Sequence, residues 1–288
     1  MENIKNVTVN MPQMALEALS ENWLFKEIGS IHWDMICKGL RTKSFDLKDD
    51  NGNRLYATFI RIRIILFSSL DHFRENDEIN ITGDIKRFGN SLYNSNIILD
   101  GNNKNIKAEL LTSFSIRNDT DNNKLVKSQP ADVENSISEY YSIPEFANEY
   151  RLIKKGVLKE VKSGNTAFSV NEDFIFETNY IINPYYDLNG VGLLYFASYP
   201  IISDFCEAQY FNKEFNNAEK WEQSYYTLTR DVFYYANCNI DDEINYKLHS
   251  FEFIKNDKIK LCSTLYRKSD NTILAKIFTI KSKKAKRL

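Results

Sequence analysis

The chain has 288 residues, of which 43% are hydrophobic and 14% aromatic, enough for one large core or two medium ones and rich in the ring side chains that favour sheets. A formal net charge of -2 gives no basis for a nucleic-acid surface. Cys37, Cys206, Cys238 and Cys262 are scattered without CxxC spacing, and only His32, His72 and His249 accompany them, which argues against a disulfide framework and a zinc or multi-histidine metal site.

The opening MENIKNVTVN carries no apolar signal core, and Val7, Thr8 and Val9 read as a first strand. The expectation is a reduced, cytoplasmic protein with no membrane partner. Met11 to Leu19 reads as a loop. Ser20 is a helix N-cap, after which Leu24, Ile28, Ile31 and Met35 recur at helical spacing until Gly39. The turn Asp49-Asp50-Asn51-Gly52 then introduces a strand from Arg54 to Ile65 in which Arg61 and Arg63 alternate with Ile60, Ile62 and Ile64. Without a bulge, Tyr56 and Thr58 share the inner face with those isoleucines. A loop from Ser68 to Asn76 and strands at Glu78–Ile85, Leu92–Asp100 and Ile106–Arg117 follow.

Asn118 to Tyr150 is poor in pattern and reads as a linker, with a short helix near Val133 to Tyr141. Strand text returns in Arg151 to Val161 and Ala167 to Ile182. The stretch from Ile182 to Cys206 is apolar nearly all round, which marks a buried helix, placed from Gly190 to about Tyr210. Pro200 interrupts it, and it is too short to span a bilayer. A loop over Asn212 to Gln223 precedes strands near Tyr225–Cys238, Glu243–Ile254, Lys258–Arg267 and Thr272–Ile280. The basic tail KSKKAKRL reads as a solvated terminus.

The second half repeats the first. Pro12, Ser20 and Trp23 match Pro184, Gly192 and Tyr195, and the tetrapeptide Asp77-Glu78-Ile79-Asn80 returns as Asp242-Glu243-Ile244-Asn245. Both halves close with similar strand pairs, turning at Asp100-Gly101 and at Ser269-Asp270-Asn271. A repeat of this length is a duplicated domain. The expected division is an N-terminal unit (1–120), a linker (121–150) and a C-terminal unit (151–288). One long helix followed by about four antiparallel strands, twice, is the order of an α+β double hotdog, although the order alone also allows another α+β arrangement.

Leu19 to Trp33 (LSENWLFKEIGSIHW), Asn183 to Pro200 (NPYYDLNGVGLLYFASYP) and Arg54 to Phe59 (RLYATF) resemble motifs of the LnmK family of polyketide biosynthesis. Asp187-x-x-Gly190 before an aromatic helix also resembles the wider thioesterase-like hotdog superfamily. The LnmK resemblance implies a double hotdog that decarboxylates methylmalonyl-CoA and loads the acyl group onto the phosphopantetheine of an acyl carrier protein. It also implies an acylated tyrosine, whose place here is Tyr56.

Such chemistry needs a positive potential at the thioester oxygen, which backbone N–H groups at a helix start supply; Asn189, Gly190 and Gly192 are candidates, the glycines allowing close approach or merely tight packing. Tyr56 is the candidate acyl acceptor or proton donor. His32 lies three turns down the first helix, where a structural role competes with a catalytic one, and Ser20, at the helix start, is a catalytic candidate whose competing role is that of a cap. Asp187 either binds the thioester or braces its turn. The expected partners are acyl-CoA and an acyl carrier protein, with coenzyme A thioester as substrate rather than resident cofactor, in a monomer with an internal pseudo-dimer or in a homodimer. Two alternatives stand beside this: a hotdog thioesterase or dehydratase, and a non-catalytic carrier-binding protein.

Overall fold

A computed structural model describes residues 2–89, 91–101, 104–117, 121, 125–131, 136–163, 166–215, 221–255 and 257–284. The first half contains β1 (Glu2–Thr8), a small hairpin of β2 (Met14–Ala15) and β3 (Ala18–Leu19), helix α1 (Glu21–Gly39), and strands β4 (Tyr56–Leu66), β5 (Glu78–Phe88), β6 (Leu92–Gly101) and β7 (Lys104–Arg117). Strand β8 (Leu125–Ser128), helix α2 (Glu145–Lys154) and the hairpin of β9 (Glu160–Ser163) and β10 (Thr166–Ser169) follow. The second half contains β11 (Phe176–Ile181), α3 (Ser198–Phe215), the single turn α4 (Trp221–Ser224), β12 (Tyr225–Tyr234), β13 (Glu243–Ile254), β14 (Lys258–Arg267) and β15 (Thr272–Lys283).

An 11-stranded sheet takes the order β1-β5-β6-β7-β4-β12-β15-β14-β13-β11, with β8 beside β7. The order is a palindrome of equivalent strands about the central pair β4–β12, and the repeated tetrapeptides open the equivalent strands β5 and β13. Helices α1 and α3 pack on one face, here the inner face. Leu24, Phe25 and Ile28 of α1 join Tyr199, Ile202 and Cys206 of α3, with Ile62, Ile64 and Val232 of the central strands, in one buried cluster that crosses the two halves. This is a double hotdog: two helices, each covered by its own half of one antiparallel sheet.

Local chemistry sets the elements. The Ser20 hydroxyl accepts the Trp23 N–H at 3.3 Å and caps α1 as its sequence predicts. Gly29 and Gly39 leave room on α1 for neighbours: a Cβ would stand 2.2 Å from the ring of Phe196 and 2.2 Å from Ile137, respectively. Helix α3 starts at Ser198 rather than at Gly190. Pro200 fixes this boundary, because a proline ring clashes with the carbonyl four residues back and is tolerated only in a helix's first turn. The two helices therefore begin at Glu21 and Ser198, so Ser20 and Gly192 are not equivalent positions.

Three further differences from the sequence reading have physical causes. Arg151–Lys154 is helical, not strand: Pro144 precedes α2, and Phe146, Ala147, Tyr150 and Ile153 recur at helical spacing to cover the outer face of the sheet. Residues 133–135 of the expected Val133–Tyr141 helix lie outside the described residues, and 136–141 form no helix. The expected loop at Asn212 carries the end of α3, and α4 occupies Trp221–Ser224.

Candidate functional site

Strands β4 and β12 pair only over Arg61–Ile65 and Thr229–Phe233. The first four residues of β4, Tyr56 to Phe59, pair with β7 alone, and Ile60 after them is skipped in that register. On the other side, Tyr235 has turned its N–H to Leu274. The central strands thus fork, and a cavity of about 640 Å³ fills the fork, with Tyr56–Ile60 on one wall and Tyr234–Asn237 on the other. It reaches His32, Phe59 and Phe196 on the inner side and Tyr150 and Lys154 on the side of α2.

A bulge lies where β4 passes from Phe59 to Arg61 opposite β7. The extra residue reverses the alternation. Phe59, Ile62 and Ile64 therefore join the inner core while Ile60 packs in the outer cluster with Phe146. Tyr56 consequently falls on the opposite face from Ile62 and Ile64, which corrects the bulge-free reading. It is half-buried in the cavity wall, and the Arg54 guanidinium sits over its ring at 5.3 Å.

Fixed hydrogen bonds hold the walls. Tyr150 donates to the Tyr234 carbonyl at 2.8 Å, Tyr199 to that of Ala236 at 3.0 Å and Tyr234 to that of Phe196 at 3.0 Å. The Asn237 side chain accepts from the Leu194 N–H and donates to the Leu194 carbonyl, tying the loop before α3 to the end of β12. The rings of Phe59 and Phe196 lie 4.2 Å apart, with His32 5.7 Å from Phe59.

His32 is fully buried in this wall. Its Nδ1 lies 2.7 Å from the Ser95 hydroxyl and its Nε2 2.8 Å from that of Thr112. Burial lowers its pKa from 6.5 to about 3, so the imidazole is neutral near pH 7 and both nitrogens are held by hydroxyls. Asn189 and Gly190 line the cavity, but in a loop: the Asn189 Oδ1 accepts the N–H groups of Val191 and Leu193, and a Cβ on Gly190 would meet nothing within 4 Å. The helix start in the wall is that of α3, through Phe196 and Tyr199. In that turn the Ser198 N–H donates to the Tyr195 carbonyl at 2.8 Å and Pro200 has no N–H, so what the turn offers is the positive end of the helix dipole and the Tyr199 N–H.

The remaining candidates stand apart from the cavity. The Asp187 Oδ2 accepts the Asn183 N–H at 2.7 Å and the Tyr180 hydroxyl at 2.8 Å, a brace for the turn. Gly192, at φ +76, borders a smaller hollow with Arg117 and Asp121. Ser20 only caps α1. Sequence reasoning missed the cavity's cations, Arg54, Lys127 and Lys154, which come from three separate segments. No Asp or Glu is among the described residues that line it.

The other end of the central pair is filled. Arg230, fully buried, donates to Glu21 at 2.8 Å, to Asp204 at 2.7 Å and to the Thr279 hydroxyl at 2.8 Å. Lys281 bridges Asp204 at 2.6 Å and Glu207 at 2.7 Å. Burial pushes the Asp204 carboxyl upward, but Arg230 and Lys281 outweigh it and hold the pKa below the usual value; for Glu207, burial keeps the pKa raised. The neighbouring Asp231 points to the outer face, where it binds the buried Arg61 at 2.6 and 2.9 Å beneath α2. Among the described residues no cluster of His, Cys, Asp and Glu could hold a metal ion, and no helix is long and apolar enough to cross a membrane.

No protein-family model matches the chain, and no curated protein matches it in sequence. Solved structures do match in fold. The 12:0-ACP thioesterase from Umbellularia californica superposes with a TM-score of 0.63 at 9% identity, over 97% of this chain and 93% of that one. A putative oleoyl thioesterase from Lactobacillus plantarum gives 0.63 at 8% identity, over 98% and 96%. An acyl-ACP thioesterase from Bacteroides thetaiotaomicron gives 0.57 at 9% identity, over 96% of each chain. At these identities the likeness establishes the hotdog fold over nearly the whole chain.

Proposed function

We propose that this protein is an acyl-thioester hydrolase whose substrate enters the fork between β4 and β12. The observation that carries the reading is the position of the cavity: aromatic, about 640 Å³, and bordered by the first turn of α3. Its volume suits an acyl chain with part of its pantetheine arm. The thioester carbonyl lies toward Phe196 and Tyr199, where the helix start favours the oxyanion that forms when water attacks. The three fold neighbours are named for acyl-ACP or oleoyl thioester cleavage, which supports the same substrate class.

His32 positions rather than ionises in this scheme, because its nitrogens are occupied by Ser95 and Thr112 and it stays neutral. A second reading, decarboxylation of a (methyl)malonyl thioester with transfer to an acyl carrier protein, keeps support from one observation: Tyr56 borders a cavity whose described lining holds no carboxylate. In that reading the phenol is the acyl acceptor or the proton donor to the enolate.

The test incubates the purified protein with acyl-CoA and acyl-carrier substrates of graded chain length, and separately with methylmalonyl-CoA plus carrier. Thiol release with free acid supports the hydrolase. A propionyl mass on the carrier, formed only with enzyme, replaces it with the second reading. Neither product from any substrate, with no thioester binding, overturns both.

A further inference from the structure

The cavity has an unusual charge balance for a chain with 39 acidic and 37 basic residues: three cations line it and no described carboxylate does. Lys127 comes from β8, Lys154 from the last turn of α2, and Arg54 from the segment leading into β4. None of the three makes an ion pair with a described residue. Two are held by the wall itself. The Arg54 guanidinium lies between the rings of Phe45, at 5.0 Å, and Tyr56, at 5.3 Å, and the Lys154 ammonium lies over Tyr150 at 5.9 Å. Partial burial lowers the pKa of Lys154, and the charge of Lys127 lowers it further, so the two ammonium groups are close enough to repel. Like charges gathered beside an apolar cavity, with no described carboxylate against them, are relieved by an anion.

We infer that Arg54, Lys127 and Lys154 form a phosphate-binding subsite at the α2 side of the fork, so that the ligand is an amphiphile with a phosphate-bearing head and an apolar tail. The head binds outside the sheet while the tail passes between β4 and β12 to Phe59 and Phe196. Arg54 offers a planar fork of donors that matches a phosphate, and the lysines add mobile point charges. The assignment rests on the acyl-thioester reading for the identity of the tail. It fits equally the phosphates of coenzyme A and the phosphodiester of carrier-bound phosphopantetheine.

The experiment measures binding calorimetrically to the full chain and to a Lys127→Ala/Lys154→Ala variant. Both lysines are exposed, and an unchanged thermal midpoint confirms that the variant folds. The probes are dodecanoyl-CoA, dodecanoyl-phosphopantetheine, dodecanoyl-pantetheine without phosphate, dodecyl phosphate, and dodecyl maltoside as a neutral head of equal tail. The expected result is an affinity loss of about tenfold or more for each phosphate-bearing probe and none for the two phosphate-free ones. A loss for both phosphopantetheine and CoA probes assigns the shared phosphate; a loss for CoA alone assigns its nucleotide phosphates. Equal loss across all probes, no loss with any, or no binding of dodecyl phosphate to the full chain overturns the subsite. Dodecyl phosphate that binds and responds to the variant while no thioester binds keeps the subsite and removes the thioester reading.

Discussion

The two ends of the central strand pair occupy equivalent places in a duplicated fold, yet one holds a cavity and the other a salt cluster. The bulges make the equivalence concrete. Just before the bulge in β4, Phe59 pairs with Thr112; just before the bulge in β12, Thr227 pairs with Lys281. At the first end Thr112 touches a neutral His32, and at the second Lys281 binds Glu207 and Asp204. The second fork is also covered. Tyr226 reaches the Leu16 carbonyl of the β2–β3 hairpin at 2.9 Å, and the turn at Leu70–His72 packs against β12. Duplication thus supplied two frames, and exchange of neutral for charged side chains left only the first with room for a ligand.

The largest effect is expected from unbalancing the filled end. Arg230→Met leaves Glu21, Asp204 and Glu207 with Lys281 alone, and should cost about 3–5 kcal/mol in urea unfolding. A loss below about 1 kcal/mol would mean the cluster is not what holds that fork shut.

The open end should instead be sensitive to acid. The unfolded chain binds a proton at His32 below pH 6.5, whereas the folded chain refuses it until about pH 3. Stability therefore falls as pH drops through that window, by about 5 kcal/mol from this residue over its full width. Unfolding midpoints at pH 7 and pH 4 should differ less for His32→Gln than for the parent; an identical pH dependence in the two proteins contradicts the burial of a neutral imidazole.

Gly29→Ala sharpens the comparison at the cavity floor. The new methyl would meet the Phe196 ring at 2.2 Å and drive it toward Phe59, with a cost of about 1–3 kcal/mol and weaker binding of long acyl chains. Stability with unchanged chain-length preference would show that Phe196 does not bound the site. The smallest stability effect belongs to Tyr56→Phe, within about 0.5 kcal/mol, since its hydroxyl makes no described buried contact. Its value is chemical: thiol release that survives the change removes Tyr56 as acyl acceptor.

Much of the frame was legible because it rests on local patterns. The tetrapeptides at Asp77 and Asp242 marked equivalent strand starts, the alternation of β4 showed a strand, and Ser20 announced α1. What escaped depends on contacts far apart in the chain. The bulge at Ile60, which redirects Tyr56, is set by pairing with β7. The start of α3 was available in Pro200 but was masked by the apolar run before it. The cations of the cavity come from β8, α2 and the segment before β4, and no spacing rule joins them. Adjacent Arg230 and Asp231 on a strand did carry a signal, since successive side chains face opposite ways, each needing its own buried counter-charge.

The central pairing of β4 with β12 also governs the order of folding. The residues joined there, such as Arg61 and Asp231, are separated by 170 positions. At synthesis rates of about 5–20 residues per second, β4 waits on the order of ten seconds for its neighbour, with an open hydrogen-bonding edge and Arg61 lacking its carboxylate. During that interval two nascent first halves can pair edge to edge through β4. A truncated first half should therefore associate or aggregate, and the intact chain should refold more slowly than its helices alone would suggest.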